Sequence, residues 1–311
     1  MSEFAPNKSN QAEFTIVGFS SSQKHKIPMF LLFLIIYLFA VLSNLVTITL
    51  FFLDRNLHKP MYFFLCNLSI LDILYISVTV PNHLHMIISQ NKRISFRSCM
   101  AQLFLFNSFG TVEYMLVTSM AYDRYQAVCN PLSYHQKMNR KTCCILSRVA
   151  WIGGFSAALP ISISVSSLPF CSSHQINHIF CDVSPLLKIA CGDTTTCQLI
   201  IFGTGAGITL NCLILTLTSY VFIIFAILKI RSTKGRIKTF STCASHLAIV
   251  ILFYTMIASM YMKPPSSYSL DEAKVQSVLF NNIIPLLNPM IYTLKNNDMK
   301  EAVKKVILYF L

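Results

Sequence analysis

Seven long apolar runs, separated by short polar segments, set the pattern of this chain of 311 residues. Each run is long enough for a transmembrane helix, which needs about 20 mostly apolar residues. Backbone groups in lipid have no water to bond, so a single span satisfies them by forming a helix. The pattern predicts an all-α membrane protein, a seven-transmembrane helix bundle with spans at residues 28–53, 60–88, 99–125, 143–167, 197–228, 239–262 and 275–294.

Composition and charge agree with a membrane protein and give it an orientation. Hydrophobic residues make up 54% of the chain and charged residues 12%, whereas soluble domains carry roughly 25% charged residues. Most of the 25 basic residues follow the first, third, fifth and seventh runs, which the positive-inside rule places in the cytoplasm. We therefore expect a multi-pass plasma-membrane protein with an extracellular segment 1–27, a transmembrane domain 28–294 and a cytoplasmic tail 295–311. The net charge of +13 then reflects topology and contact with membrane lipid, and nucleic acid is not an expected partner.

The tail after the seventh run is predicted to form a short amphipathic helix. Its apolar residues recur at helical spacing, with Lys300, Lys304 and Lys305 between them. A helix of this kind lies on the membrane surface. The apolar residues are Met299, Ala302, Val303, Val306, Ile307 and Phe310.

Four of the 11 cysteines fall on the predicted outer side, where an oxidising compartment favours disulfides. They are Cys99, Cys171, Cys181 and Cys191, and their order leaves three pairings open. His178, Cys181 and Asp182 have side chains that ligate metals, but Cys181 is better used in a disulfide, so we expect no metal there. Asn7-Lys8-Ser9 fits a glycosylation acceptor on the same side of the membrane.

Asp72 and Glu113 are the acidic residues that lie well inside the apolar runs. A charged group at mid-bilayer costs roughly 2.5–3.5 kcal/mol on insertion scales, so each acid needs a reason to be there. The helical rise places the two acids at matching depth, and Asn44 and Asn288 reach a similar layer. Two facing carboxylates share a proton or hold a cation such as a sodium ion. A neutral, hydrogen-bonded structural cluster with no cofactor explains the same residues, and both interpretations stay open.

The third run ends in "MAYDRYQAVCNPL" (120–132), where two opposite charges stand beside an aromatic ring. Arg124 lies at the predicted cytoplasmic end, where its charge can pair with Asp123. Forming this pair would close the inner face of the bundle, and breaking it would open that face. The alternative is an arginine that extends its charge to water and anchors the end of the helix.

Two prolines interrupt the seventh run in "NNIIPLLNPMIYTLKN" (281–296). Pro285 and Pro289 each remove a backbone donor and favour a kink. The segment with Asn288 and Tyr292 is therefore a candidate moving part. The alternative is an ordinary irregularity, because membrane helices tolerate proline well.

Four motifs follow one another along the chain at regular spacing. They are "LHKPMYFFLCNLSILD" (57–72), "MAYDRYQAVCNPL" (120–132), "SYVFIIFAILKIRSTKGRIKTFSTCASHL" (219–247) and "PLLNPMIYTLKN" (285–296). A long second outer loop with three cysteines (168–194) accompanies them. In these motifs the chain resembles the olfactory receptor family, within the rhodopsin-like G-protein-coupled receptors, over its whole length.

The resemblance implies the disulfides Cys99–Cys181 and Cys171–Cys191. It also implies activation of a stimulatory, olfactory-type heterotrimeric G protein that raises cAMP, and odorant binding among the outer halves of the third, fifth, sixth and seventh spans. The matching residues, mostly apolar and suited to a small, poorly water-soluble ligand, are Phe106, Asn107, Gly110, Thr111, Thr204, Ile208, Ile257, Ala258, Tyr261, Phe280 and Asn281. The residues that we expect to form the activation switch are Asp123, Arg124, Tyr125, Tyr220, Tyr254, Asn288, Pro289 and Tyr292.

The chain departs from the family pattern at three positions. Ser43 and Thr255 stand where the family usually has glycine, and Gln126 stands where valine is usual. Thr255 matters most, because a glycine in the sixth span would ease the bending expected during activation.

Other function classes fit the sequence less well. No protease or hydrolase motif occurs, so we expect the chain not to be an enzyme. A transporter or channel is the competing class, but the seven spans do not divide into inverted repeats with matched broken helices. A rhodopsin-like receptor for a non-odorant ligand remains an alternative.

Overall fold

The fold was analysed in a computed structural model, which describes residues 13–18, 26–89, 91–171, 174–261, 270–295 and 297–310. In this part of the chain seven long helical segments form a bundle and an eighth helix follows them. Their bounds are α1 Lys26–Leu53, α2 Pro60–Ser89, α3 Phe96–Cys129, α4 Arg140–Ser166, α5 Thr195–Leu228, α6 Thr233–Tyr261, α7 Leu270–Lys295 and α8 Asn297–Phe310. Shorter helices cover Tyr134–Lys137 and Val183–Ile189. The predicted seven-helix bundle with a carboxyl-terminal helix is confirmed.

Two of the long segments contain a π turn, in which backbone hydrogen bonds join residues five positions apart instead of four. In α5 the turn is Phe202–Ala206, and in α7 it is Leu279–Ile283. The α7 turn precedes Pro285, so the irregularity predicted from the prolines lies one turn earlier than expected. Pro289 lies inside the regular helix Ile284–Lys295.

Four predicted spans agree with the helices to within three residues, but α3, α6 and α7 extend further. α3 continues to Cys129, α6 begins at Thr233 and α7 begins at Leu270. By length and composition, four of the described helices could cross a membrane, and five if the two parts of α6, which meet at 49°, count as one span.

α3 lies at the centre of the bundle and packs against α2, α4, α5 and α6. Its contact with α4 is close at Gly154, where a Cβ atom would lie 2.8 Å from the Ser108 carbonyl oxygen and would overlap the Val112 side chain. Asn67 of α2 joins the same region, since its Oδ1 accepts hydrogen bonds from Ser147 Oγ at 2.7 Å and Trp151 Nε1 at 3.3 Å.

One end of the bundle, called the outer end here, carries a small sheet that the all-α prediction missed. Its strands are β1 Phe14–Ile16, β2 Arg93–Ile94 and β3 Gln175–Ile176, with β1 antiparallel to β2 and parallel to β3. Phe14 is buried and its ring meets those of Phe96 and Phe170. The described part of the amino-terminal segment is thus folded against the first and second outer loops. Asn7, the predicted glycosylation site, lies outside the described residues.

The outer end also contains the cysteines predicted to pair. Cys99 and Cys181 form a disulfide, with their Cα atoms 5.4 Å apart, which ties the second outer loop to α3. The structure leaves Cys171 and Cys191 as neighbouring thiols, and the Cys171 amide lies 2.8 Å from the Cys191 sulfur. The bond between these two stays a prediction.

At the opposite, inner end, two ion pairs hold α8 against the turn between α1 and α2. Asp298 accepts a hydrogen bond from Lys59, and Asp54 accepts one from Lys305 at 3.1 Å. The Lys59 ammonium lowers the pKa of Asp298, and the Asn56 amide lowers the pKa of Asp54. α8 is amphipathic as predicted. Met299 and Ala302 are buried and Val303 half-buried, whereas the lysines Lys300, Lys304 and Lys305 are exposed; the side chains of Val306, Ile307 and Phe310 lie outside the described residues.

Replacing Gly154 by Ala is expected to lower the free energy of unfolding by about 1–3 kcal/mol, because the added methyl group overpacks the contact between α3 and α4. The measurement is thermal unfolding of the purified full-length protein in detergent. Gly153→Ala is the matched control, since its Cβ would meet only the flexible Met115 side chain, at 3.1 Å. Equal unfolding midpoints for the two variants would contradict the packing argument.

Candidate functional site

The helix-3 candidates divide between two neighbouring stripes of α3. Asn107 and Thr111 lie on the stripe that continues inward, at helical spacing, to Tyr114 and Thr118. The Tyr114 ring meets the Phe253 ring of α6 at 4.9 Å, and Thr118 Oγ1 lies 3.3 Å from Thr216 Oγ1 of α5. This stripe therefore faces α5 and α6.

Ile208 of α5 lies on the matching face. It precedes Cys212 and Thr216 at steps of four residues in the regular helix, and Cys212 and Thr216 are buried against Thr118. Thr204 lies inside the π turn before this helix. Thr204 and Ile208 are half-buried. The hydroxyls of Thr204 and Thr111 donate to carbonyl oxygens of their own helices, at 2.6 Å and 2.9 Å. Their oxygen lone pairs can still accept a hydrogen bond.

The other stripe of α3 faces α2 and the second outer loop. The Phe106 ring stacks on Tyr75 at 5.0 Å and meets Phe180 at 4.7 Å, and a Cβ on Gly110 would lie 4.0 Å from Tyr75 Oη. Asn281 of α7 is on the same side, because its Oδ1 accepts a hydrogen bond from Tyr75 Oη at 3.2 Å. The candidate set thus surrounds the outer half of α3 on two sides.

Five further candidates have side chains outside the described part of the structure. Their backbone positions fall in α6 and α7, as predicted. They are Ile257, Ala258, Tyr261, Phe280 and Tyr292.

Halfway along the bundle, three of the four predicted polar residues come together. Asn288 Nδ2 donates to both carboxylate oxygens of Asp72, at 3.1 and 3.3 Å, and Glu113 interacts with Asp72 and Asn288. All three side chains are buried. Asn44 points elsewhere, since its Nδ2 donates to the Pro285 carbonyl oxygen at 2.8 Å. The rotation of α1 thus turns Asn44 to the α7 backbone instead of to the two acids.

At the inner end, Asp123 is fully buried and binds two partners. Its Oδ2 accepts hydrogen bonds from the neighbouring Arg124 guanidinium, with Nε at 3.0 Å. Its Oδ1 accepts one from the Tyr134 hydroxyl at 2.8 Å. Burial and the nearby Asp123 charge raise the pKa of Tyr134, which lies in the loop after α3. The structure therefore contains the Asp123–Arg124 pair, which favours the paired interpretation of Arg124 over a free anchor.

A second inner contact joins α5 to α6. The Tyr220 hydroxyl lies 2.6 Å from His246 Nδ1, and the two rings stack at 5.8 Å. Tyr125 packs on Phe222, and Tyr254 packs against the cluster that contains Tyr220. Sequence reasoning did not assign roles to Tyr134 or His246. A lone histidine in an apolar span was the available signal for His246, whereas nothing local marked Tyr134.

The possible metal ligands of the second outer loop have other partners. The His178 ring nitrogens lie 3.1 Å from Ser277 Oγ and 3.3 Å from the Phe180 carbonyl oxygen. Cys181 is in the disulfide, and Asp182 Oδ1 accepts from the Val183 amide at 2.7 Å. Among the described residues no group of three or more His, Cys, Asp or Glu could hold a metal ion.

The sequence is similar to a family model and to individual proteins that are described as olfactory receptors. The family model "Olfactory receptor" matches residues 33–309. Olfactory receptor 8D1 of Homo sapiens is 44% identical over 302 residues, covering 97% of this chain and 98% of that protein. Olfactory receptor 8U8 of Homo sapiens is 46% identical over 303 residues, with 97% and 95% covered, and olfactory receptor 5AP2 of Mus musculus is 43% identical over 301 residues, with 97% and 95% covered.

The fold has a counterpart among solved structures. The crystal structure of squid rhodopsin superimposes with a TM-score of 0.75 and covers 93% of this chain and 82% of that one. The sequences are 16% identical, so this likeness concerns the fold alone.

Proposed function

The chain belongs to the olfactory receptor family, and from this premise we propose that it binds a small, mostly apolar odorant in the outer half of its bundle and activates a stimulatory heterotrimeric G protein, raising cAMP. The site residues, the transmembrane domain 28–294 and the orientation with an extracellular amino terminus are parts of the same proposal. Its partners are thus a small organic ligand, the G protein and the membrane lipid.

The observation that carries the ligand site is the stripe of Asn107 and Thr111. These residues lie one to two turns outward of the contacts that Tyr114 and Thr118 make with α6 and α5. A ligand between this stripe and Ile208 would therefore act directly on the packing of α5 and α6 against α3. A small apolar molecule fixed by one or two hydrogen bonds suits such a lining.

The inner contacts supply the element that the ligand would shift. Asp123, Arg124 and Tyr134 hold the end of α3 to the following loop, and Tyr220 with His246 holds α5 to α6. A ligand changes this equilibrium only if it binds one arrangement better than the other. We propose that separation of α6 from α3 frees Arg124 for the G protein, with the exposed basic residues after α5 as a further contact surface.

The alternatives are a rhodopsin-like receptor for a non-odorant ligand and, with less support, a transporter or channel. The candidate residues do not distinguish an odorant from another small apolar molecule. Ligand screening is therefore needed to test the first alternative. The two π turns do not form a matched pair of broken helices in inverted halves, which disfavours the second.

The ligand proposal is tested by screening a volatile panel for a cAMP rise in cells that express the chain and lack cyclic-nucleotide channels. Thr111→Val is expected to raise the half-maximal concentration of hydrogen-bonding agonists roughly threefold to tenfold, because it removes a hydroxyl at nearly constant volume. Thr218→Val on the exposed face of α5 is the control. A ligand-gated current without a cAMP change would favour a channel, and an unshifted Thr111→Val response would remove this residue from the site.

Arg124→Ala is expected to abolish the agonist-induced cAMP rise while the protein still reaches the cell surface, because the G protein loses its charged contact. Surface labelling of an epitope tag normalises the signal. Arg148→Ala, which removes an exposed arginine of α4, is the matched control and should keep the response. Full signalling by Arg124→Ala would refute the assigned role.

We also propose that Asp72 and Glu113 hold a sodium ion rather than share a proton. The donor set fits a hard cation, because two buried oxygen atoms near Asp72 have no hydrogen-bond partner. One is Oδ1 of Asn288, whose Nδ2 donates to Asp72, and the other is Oγ of Ser69, which precedes Asp72 by one turn of α2. Both unpartnered atoms are oxygens, which suit a cation and cannot both be satisfied by one shared proton.

Sodium binding predicts a higher unfolding temperature of the purified receptor in sodium chloride than in N-methylglucamine chloride at equal ionic strength. The free energy of unfolding increases by about 1.4 kcal/mol when the sodium concentration is tenfold above the dissociation constant. Glu113→Gln should lose the difference, and Glu301→Gln on the exposed face of α8 should keep it. Stability that depends on pH but not on sodium would support the shared proton instead.

A further inference from the structure

Four residues join three separate segments at the outer end of the bundle. Gly18 of the amino-terminal segment donates its amide hydrogen to the His178 carbonyl oxygen of the second outer loop at 3.1 Å. The Gly18 carbonyl oxygen accepts a hydrogen bond from Lys274 Nζ of α7 at 3.0 Å. The loop and α7 also meet directly, since His178 Nε2 lies 3.1 Å from Ser277 Oγ. We call Gly18, His178, Lys274 and Ser277 the outer latch.

The contacts of the His178 ring fit a neutral imidazole. Nδ1 lies 3.3 Å from the Phe180 carbonyl oxygen, which only accepts, so Nδ1 carries the ring proton. In the neutral ring Nε2 then accepts a hydrogen bond from the Ser277 hydroxyl. A second ring proton would keep both contacts, because a hydroxyl can also accept. Its effect would be to place a positive charge inside the latch.

This charge would be buried and close to a charge of the same sign. The side chains of His178 and Lys274 are 5% and 4% exposed. Among the described residues, the charged groups that act on the ring are Asp182 and Lys188 of the same loop and Lys274 of α7. Burial lowers the pKa of His178, and the two lysines lower it further against the opposing effects of Asp182 and the Phe180 carbonyl. The closed latch therefore disfavours the protonated ring.

We propose that the outer latch senses external acidity, in that proton uptake by His178 releases the amino-terminal segment and the second outer loop from α7. A ring outside the latch takes up a proton near the ordinary histidine pKa of 6.5, whereas a ring in the closed latch does so only at lower pH. The latch therefore has its full stability above this pH and weakens as the pH falls from 6.5 toward the lower pKa of the closed form.

The latch is connected to residues of the proposed odorant site. Phe180, whose ring meets the His178 ring at 4.7 Å, also meets Phe106 at 4.7 Å. Ser277 precedes Asn281 of α7 by four residues. Opening of the latch is therefore expected to weaken agonist binding in acid. This consequence rests on the proposed function, whereas the opening itself does not.

Hydrogen exchange followed by mass spectrometry tests the latch without a ligand, in the purified full-length receptor in lipid nanodiscs. The amides of residues 15–18, which bond to the two outer loops, report on its opening. Their protection, corrected for the intrinsic exchange rate at each pH, is expected to fall roughly threefold to tenfold between about pH 7.5 and about pH 5.5. One pH unit below the pKa of the released ring weakens the closed latch by up to about tenfold.

His178→Gln cannot titrate and should keep equal protection at both pH values. The matched control is His85→Gln, which removes an exposed histidine of α2 and should lose protection in acid as the unsubstituted receptor does. Equal protection of the unsubstituted receptor at both pH values, or an undiminished loss in His178→Gln, would overturn the proposal.

A second variant, Lys274→Gln, covers the case in which His178→Gln does not fold. It keeps a side-chain donor on α7 and removes the positive charge near His178, so protonation of the ring is opposed less strongly. The loss of protection in acid should then be smaller than in the unsubstituted receptor. An equal or larger loss would contradict the electrostatic argument.

The cAMP response of cells at the same two pH values tests the connection to the odorant site. The half-maximal agonist concentration is expected to rise roughly threefold to tenfold in acid for the unsubstituted receptor and to stay constant for His178→Gln. A latch that opens in acid without any change in agonist potency would refute this connection. Absence of every agonist response would refute the proposed function, and the exchange measurement would still decide whether the latch opens.

Discussion

The absence of water in the hydrocarbon core is the constraint on which this structure depends. Every polar side chain at that depth must find a partner within the bundle, and every backbone group must be satisfied inside its helix. α2, α3 and α7 meet this constraint by turning Asp72, Glu113 and Asn288 toward one interior. Apolar side chains such as Phe39 and Phe222 cover the outside. The same sorting that allows insertion thus gathers the chemistry along the axis of the bundle.

α3 joins the levels of that interior. One of its stripes carries Asn107 and Thr111 at the outer half and continues to Thr118, which contacts α5. A neighbouring stripe carries Glu113, and Asp123 is buried near the inner end of the helix. A rigid helix cannot move at one level without moving at the others, so a ligand that displaces α5 or α6 from α3 changes the packing at the inner end. This coupling needs no residue-by-residue relay.

Sequence pattern could predict the spans because hydropathy and helical period are local properties. The helices α3 and α6 continue beyond their predicted spans, because charged residues can extend a helix outside the membrane. The sheet was missed since β1 has only three residues and its partners lie far along the chain. In the site, depth along a helix predicted the meeting of Asp72 with Asn288. The rotation of α1, which places Asn44, and the path of the chain after α3, which places Tyr134, both depend on tertiary packing.

The two π turns show why the directions of the site's side chains cannot be predicted from the apolar pattern. Each inserts its irregularity at the outer half of a helix that carries candidate ligand residues, Thr204 in α5 and Asn281 in α7. A π turn changes the angle of every side chain beyond it relative to a regular helix. Asn281 lies inside the α7 turn, and its Oδ1 accepts a hydrogen bond from Tyr75 of α2. Such turns recur at functional sites because they redirect side chains without breaking the span.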